Sequence, residues 1–233
     1  MTRHSGAGVA VALAALALPG AVAFTSCLPS PQRMCTATSD CGGGASSCVA
    51  GRCIANGAVP AISTARRVVF EPVDVGFVQR GAADTPGALA PATLATFGRS
   101  SGGRIFLRFD VALRPEETLV EAFLAMERVP DVAADPAEIV LHAAHVLDRW
   151  DSRRLSWANQ PRVEELGLPQ TPVLPAAGTR VRLDVRALLE LWRRGRPGDV
   201  SLAVLSDGES ATGIAFALTP GRVRGPELEL YVR

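Results

Sequence analysis

The sequence predicts an all-β protein, an antiparallel β-sandwich of jelly-roll type with one short α-helix near residues 184–194. Three observations carry that prediction. Short apolar runs with period-two alternation recur from residue 66 to the C-terminus. Gly, Pro, Asn and Asp clusters separate them. Only one stretch, Asp184 to Gly195, has helical spacing and both end signals.

The 233 residues suffice for one substantial domain with attachments, and at 48% hydrophobic and 20% charged the composition is globular. A net charge of +1 provides no electrostatic reason to expect nucleic acid as a partner. Residues 1–26 have the form of a lipoprotein-type export signal: Arg3, an apolar run from Val9 to Leu18, then Pro19-Gly20. That run is too short to span a bilayer as a helix. Ala21-Val22-Ala23 suits ordinary signal cleavage, whereas Phe24-Thr25-Ser26-Cys27 resembles a lipobox. The five cysteines favour the lipobox, because lipidating Cys27 leaves Cys35, Cys41, Cys48 and Cys53 as an even set. The membrane is then reached through a lipid anchor only, and Leu28 after the cysteine, in place of Asp, is compatible with passage to an outer membrane or cell surface.

Residues 27–65 are expected to be a Cys-rich spacer. Its four remaining cysteines form two disulfides, with three pairings open, because so short a stretch has no core of its own. Zinc is the alternative for four cysteines, but the spacing lacks paired Cys-x2-Cys.

From Arg66 the strands begin with Val68-Val69-Phe70 and Val73 to Val78, with Pro72 as the bend between them. Leu94 to Phe97 precedes the Gly98 to Gly103 turn. Arg104 to Val111 places Ile105, Leu107 and Phe109 on one face, with Arg104, Phe106, Arg108 and Asp110 on the other. Strands at Thr118 to Glu127 and Ala137 to Leu147 follow. Trp150 to Pro161 reads as a loop pinned to the β core by two indoles. Asn159 and Gln160 tie off its backbone groups, and Pro161 fixes its exit. Beyond a Pro-rich passage, a strand at Thr179 to Leu183 leads into the helix. Asp184 caps that helix and Val185, Leu188, Leu189 and Trp192 form its buried stripe. Strands at Val200 to Leu205, Gly213 to Leu218 and Glu227 to Val232 complete the chain.

These motifs resemble, in this order, those of the DNRLRE domain: Arg104 to Asp110, Val120 to Leu124, Trp150-Asp151 with Trp157-Ala158-Asn159-Gln160-Pro161, Leu183-Asp184-Val185 through Trp192, and Gly225 to Tyr231. The likeness covers residues 66–233. It implies a secreted β-sandwich in which Trp150, Asp151, Trp157, Asn159, Gln160, Pro161, Asp184 and Trp192 are structural. Some members of that family count as carbohydrate-binding modules, so cell-surface or matrix polysaccharide is the implied partner. The cysteine segment resembles short repeats near the start of myxobacterial surface proteins.

No catalytic residue is expected. Gly98-Arg99-Ser100-Ser101-Gly102 matches a nucleophile elbow but is followed by a strand instead of a helix. His142 and His145 point to opposite faces of a strand, so they do not form a metal pair. Arg194-Gly195-Arg196-Pro197 matches an AT-hook core, but reads as a helix end in an exported chain. Asp148, Asp151 and Asp184 read as solvated or capping carboxylates, not a glycosidase pair. No cofactor is expected, and no compact Asp/Asn loop marks the structural calcium common in related sandwiches. The expected function is that of a non-catalytic binding or structural module of the cell envelope. Its alternatives are a protein-docking domain or an accessory to a separate polysaccharide-degrading enzyme. The three tryptophans discriminate: indoles used as mortar between sheets make an inert sandwich, and indoles lining a groove make a sugar site.

Overall fold

The computed structural model describes residues 33–56, 64–81, 94–97, 102–129, 139–167, 169–173, 180–195, 199–207, 214–219 and 224–233. The export signal, Cys27 and Ser100 lie outside them, as do Arg196 and Pro197. All of the described residues fall within one compact unit, Gln32–Arg233.

Among the described residues fourteen strands follow one another: β1 (Ser46–Val49), β2 (Arg52–Ala55), β3 (Arg66–Phe70), β4 (Asp74–Gln79), β5 (Leu94–Phe97), β6 (Gly103–Phe109), β7 (Leu119–Glu127), β8 (Ile139–Val146), β9 (Val163–Glu164), β10 (Thr171–Val173), β11 (Arg180–Asp184), β12 (Val200–Asp207), β13 (Ile214–Ala217) and β14 (Glu227–Val232). The helix α1 (Arg186–Gly195) lies between β11 and β12. The larger sheet runs β10-β8-β12-β6-β4, with β9 also on β8. The smaller sheet runs β11-β7-β14-β3, and β13 pairs β5. Every pairing is antiparallel. The chain changes sheet at β3–β4, at β6–β7–β8, at β10–β11 and, through α1, at β11–β12, the jelly-roll habit of an all-β sandwich with one helix among the described residues. Pro72 occupies the first of these crossings, where no ladder bond is lost.

The core follows the alternation read from sequence. Ile105, Leu107 and Phe109 of β6 face Leu124 and Met126 of β7 and Leu228 and Leu230 of β14 across the sandwich. Leu188 and Leu189 of α1 close the same core, and Trp192 packs partly buried against it. The helix begins at Arg186 instead of Val185, and Asp184 Oδ1 accepts from the Arg186 N–H at 3.0 Å. Two short strands emerge from the Pro-rich passage. β9 and β10 hydrogen-bond the edge of β8, where Pro172 is tolerated because an edge strand can leave N–H positions unpaired.

The described part of the cysteine segment, residues 33–56, packs on the sandwich as a clasp. Its bonds are Cys35–Cys48 and Cys41–Cys53, with Cα separations of 5.8 and 5.4 Å. Three of its sulfurs lie within 4.8 Å of one another, but all belong to these two bonds, so none is a thiolate ligand for zinc. Ala50 (φ 49°) and Gly51 (φ 82°) turn the β1–β2 hairpin in the left-handed conformation that two-residue loops favour. That turn sits on Phe123, which projects from the outer face of β7 and is 0% exposed. So small a segment cannot build a core, and it borrows this ring instead.

A Cβ at Gly51 would lie 2.5 Å from Phe123 Cε2, at a φ that L-residues rarely adopt. Gly51→Ala should therefore cost about 1–3 kcal/mol, read as a lowered melting temperature of the oxidised protein.

Candidate functional site

The larger sheet is apolar on its outer face as well. Val78, Phe106, Ala144, Val146, Ala203 and Leu205 form a second cluster there, and Trp150 and Leu155 cover it. The expectation of indoles between the two sheets is thus corrected. Trp150 is 8% exposed, but it lies outside the sandwich, its ring tilted against Phe106 at 5.9 Å. Gly76 of β4 makes room, since a Cβ there would meet Leu155 Cδ1 at 2.3 Å and Trp150 Cζ3 at 3.2 Å.

The loop is tied by its own polar side chains. Asp151 accepts from the Arg153 N–H at 2.9 Å and starts a single 3-10 turn, Ser152–Arg154. Asn159 Oδ1 accepts from Ser156 N–H at 2.6 Å and from its hydroxyl at 2.9 Å, while Asn159 Nδ2 donates to the Arg154 carbonyl at 2.6 Å. Gln160 Nε2 donates to the Trp157 carbonyl at 2.8 Å, and Pro161 is buried at the exit. Trp157 is only partly covered and packs at the margin of the outer cluster.

At the end of the sandwich where this loop meets α1 lies a cleft of about 600 Å³. Trp150 and Trp192 both line it, with Arg108, His145, Arg149 and Asp199 among the polar groups. Among the described residues, three nitrogens of its lining are buried without a hydrogen-bond partner: Arg108 Nε, His145 Nδ1 and Trp150 Nε1. Carboxylates come near two of them without bonding. Asp199 Oδ2 is 3.9 Å from Arg108 Nε, and Glu164 Oε2 is 3.8 Å from His145 Nδ1. Buried polar groups normally find a hydrogen-bond partner, so this lining keeps hydrogen-bonding capacity that the described residues do not fill.

His142 and His145 share β8 but sit on opposite faces, as their odd separation on a strand requires. Ser201 also lines the cleft. Leu202, its neighbour, is the residue opposite His145, so Ser201 projects from the other face of the sheet and does not pair with that imidazole. Asp148 sits at the cleft mouth bound by Arg162. The Arg162 guanidinium hydrogen bond, followed by the Arg162 N–H, holds its carboxyl at about 2. Asp184 faces away from the cleft, toward Arg52 of the clasp. Sequence reasoning found Trp150 and Trp192 but not Arg108, Arg149 or Asp199, which only the approach of β6, α1 and β12 gathers.

No family model matches this chain, and no curated protein matches it.

Asn159→Ala should loosen the loop by about 1–3 kcal/mol, with tryptophan emission shifted to the red at temperatures below unfolding. Asp148 has its pKa depressed from 3.8 to about 2, so its contribution to stability is present above pH 3.8 and is lost as pH falls toward 2. An acid titration of Asp148→Asn should lack that part of the transition.

Proposed function

We propose that this chain is a non-catalytic glycan-binding module of the cell envelope, exported and anchored through a lipid on Cys27. The carrying observation is the cleft lined by Trp150 and Trp192, in which Arg108 Nε, His145 Nδ1 and Trp150 Nε1 are buried without a hydrogen-bond partner among the described residues. Sugar recognition calls for that combination: an aromatic surface for the apolar C–H face of a pyranose, and fixed donors for its hydroxyl and ring oxygens. The exposed Arg149 extends the reading to polymers that carry carboxylates, since a guanidinium group pairs with a carboxylate in bidentate fashion. The likeness to DNRLRE sandwiches supports the same ligand class, and two disulfides suit an oxidising compartment.

Polysaccharide arrays that include an alginate-type polymer test the reading. Retention should be present for the native chain and fall by about tenfold or more in Trp192→Ala, with unchanged circular dichroism. No retention at millimolar sites would reject glycan binding and favour a protein-docking role. The anchor is checked separately by mass spectrometry of the mature N-terminus, where a diacylglyceryl-modified Cys27 is expected and an unmodified Phe24 would exclude it.

A further inference from the structure

Away from the cleft, two guanidinium groups share one indole. Arg80 lies 5.3 Å and Arg104 5.4 Å from the centroid of the Trp157 ring. The β4–β6 pairing brings them to the same end of the larger sheet. Arg80 directly follows β4 and its N–H donates to the Gly102 carbonyl at 2.9 Å, two residues before Arg104. Gln160 holds the arrangement, accepting from Arg104 Nη1 at 3.0 Å while donating to the Trp157 carbonyl.

This pair differs from the half-buried arginines elsewhere in the fold. Arg52 is matched by Glu121 and Asp184, Arg108 by Asp74, and Arg180 by Glu227 and Glu229. Among the described residues, Arg80 and Arg104 have no such carboxylate partner. Glu165, whose charge reaches Arg104, is placed 3.4 Å from His142 Nε2. Burial lowers the pKa of Arg104, and the charge of Arg80 lowers it further against Glu165. Cation–π contact with Trp157 offsets the desolvation of Arg104 only in part, so the site is short of negative charge.

We infer that Arg80 and Arg104, braced on Trp157, bind a phosphate group. Two fixed guanidinium forks match the charge and the paired oxygens of a phosphate dianion, whereas a carboxylate brings a single charge. Free phosphate, a sugar phosphate and a lipid headgroup all present that chemistry. None of the three residues lines the Trp150–Trp192 cleft, so this site stands or falls independently of glycan retention there.

The test is a titration of the full oxidised chain with inorganic phosphate, followed by tryptophan fluorescence and calorimetry at constant ionic strength. Saturable binding is expected, weakened about tenfold or more in Arg104→Gln and Arg80→Gln. Arg80 is exposed, so its variant leaves the fold intact and reports on binding alone. Glucose 1-phosphate and phosphatidylcholine vesicles doped with phosphatidic acid identify the source. Arg80-dependent sedimentation with the doped vesicles assigns a lipid headgroup, and Arg80-dependent binding of the sugar phosphate alone assigns a soluble ester. Absence of saturable binding, equal affinity in the native chain and both variants, or equal affinity for galacturonate and phosphate would each overturn the inference.

Discussion

The larger sheet is apolar on both of its faces, and much of the remaining architecture answers that condition. One face packs into the sandwich through Ile105, Leu107 and Phe109, and the other presents Phe106, Ala144, Val146 and Ala203. Left in water, that second face would be a contiguous hydrophobic surface of the kind that drives association. The Trp150–Pro161 loop covers it, and Gly76 leaves the space that lets Trp150 and Leu155 approach the backbone. A cover has edges. The cleft lies where its Trp150 end meets α1, and the Arg80–Trp157–Arg104 stack lies where its other indole reaches the sheet end. Both proposed sites are therefore margins of one hydrophobic lid.

The smaller sheet meets the same problem with charge as well as apolar cover. Phe123 and Glu229 are both 0% exposed on its outer side. Burial raises the Glu229 carboxyl, but the Arg67 hydrogen bond and the charges of Arg182 and Arg67 outweigh it and hold it below its ordinary value. Arg182 also donates to the Cys35 carbonyl, which ties this ionic layer to the disulfide clasp. Arg52 of the clasp reaches Glu121 at 3.0 Å and lies 5.2 Å from the Phe123 ring centroid. Among the described residues of the clasp, only Cys35 is a buried apolar residue. Cross-links spanning 13 and 12 residues reduce the entropy of the unfolded segment, and the sandwich supplies the surface on which it folds.

Strand identity was legible wherever alternation was clean. In β6, β7 and β14 the side chains that alternate in sequence are those that alternate between core and cover. It was less legible in β9 and β10, which are two and three residues long and owe their conformation to the β8 edge instead of their own pattern. The tryptophans show the limit most clearly. Their size marked them as anchors, but size does not say which side of a sheet an anchor serves. Of the cleft, Trp150 and Trp192 could be named in advance, while Arg108, Arg149 and Asp199 carry no local signal that separates them from other surface charges.

Sequence by itself determined the all-β class, the helix from the Asp184 region to Gly195, the two faces of β6 and the parity of the cysteines. These are local properties, set by side-chain period, capping and composition over a few residues. Tertiary structure alone decided the pairing Cys35–Cys48 with Cys41–Cys53, the docking of that segment on Phe123, the placement of Trp150 outside the sandwich, and the meeting of two arginines on Trp157. Each depends on residues tens of positions apart, whose proximity comes from sheet order and register and leaves no trace in local spacing.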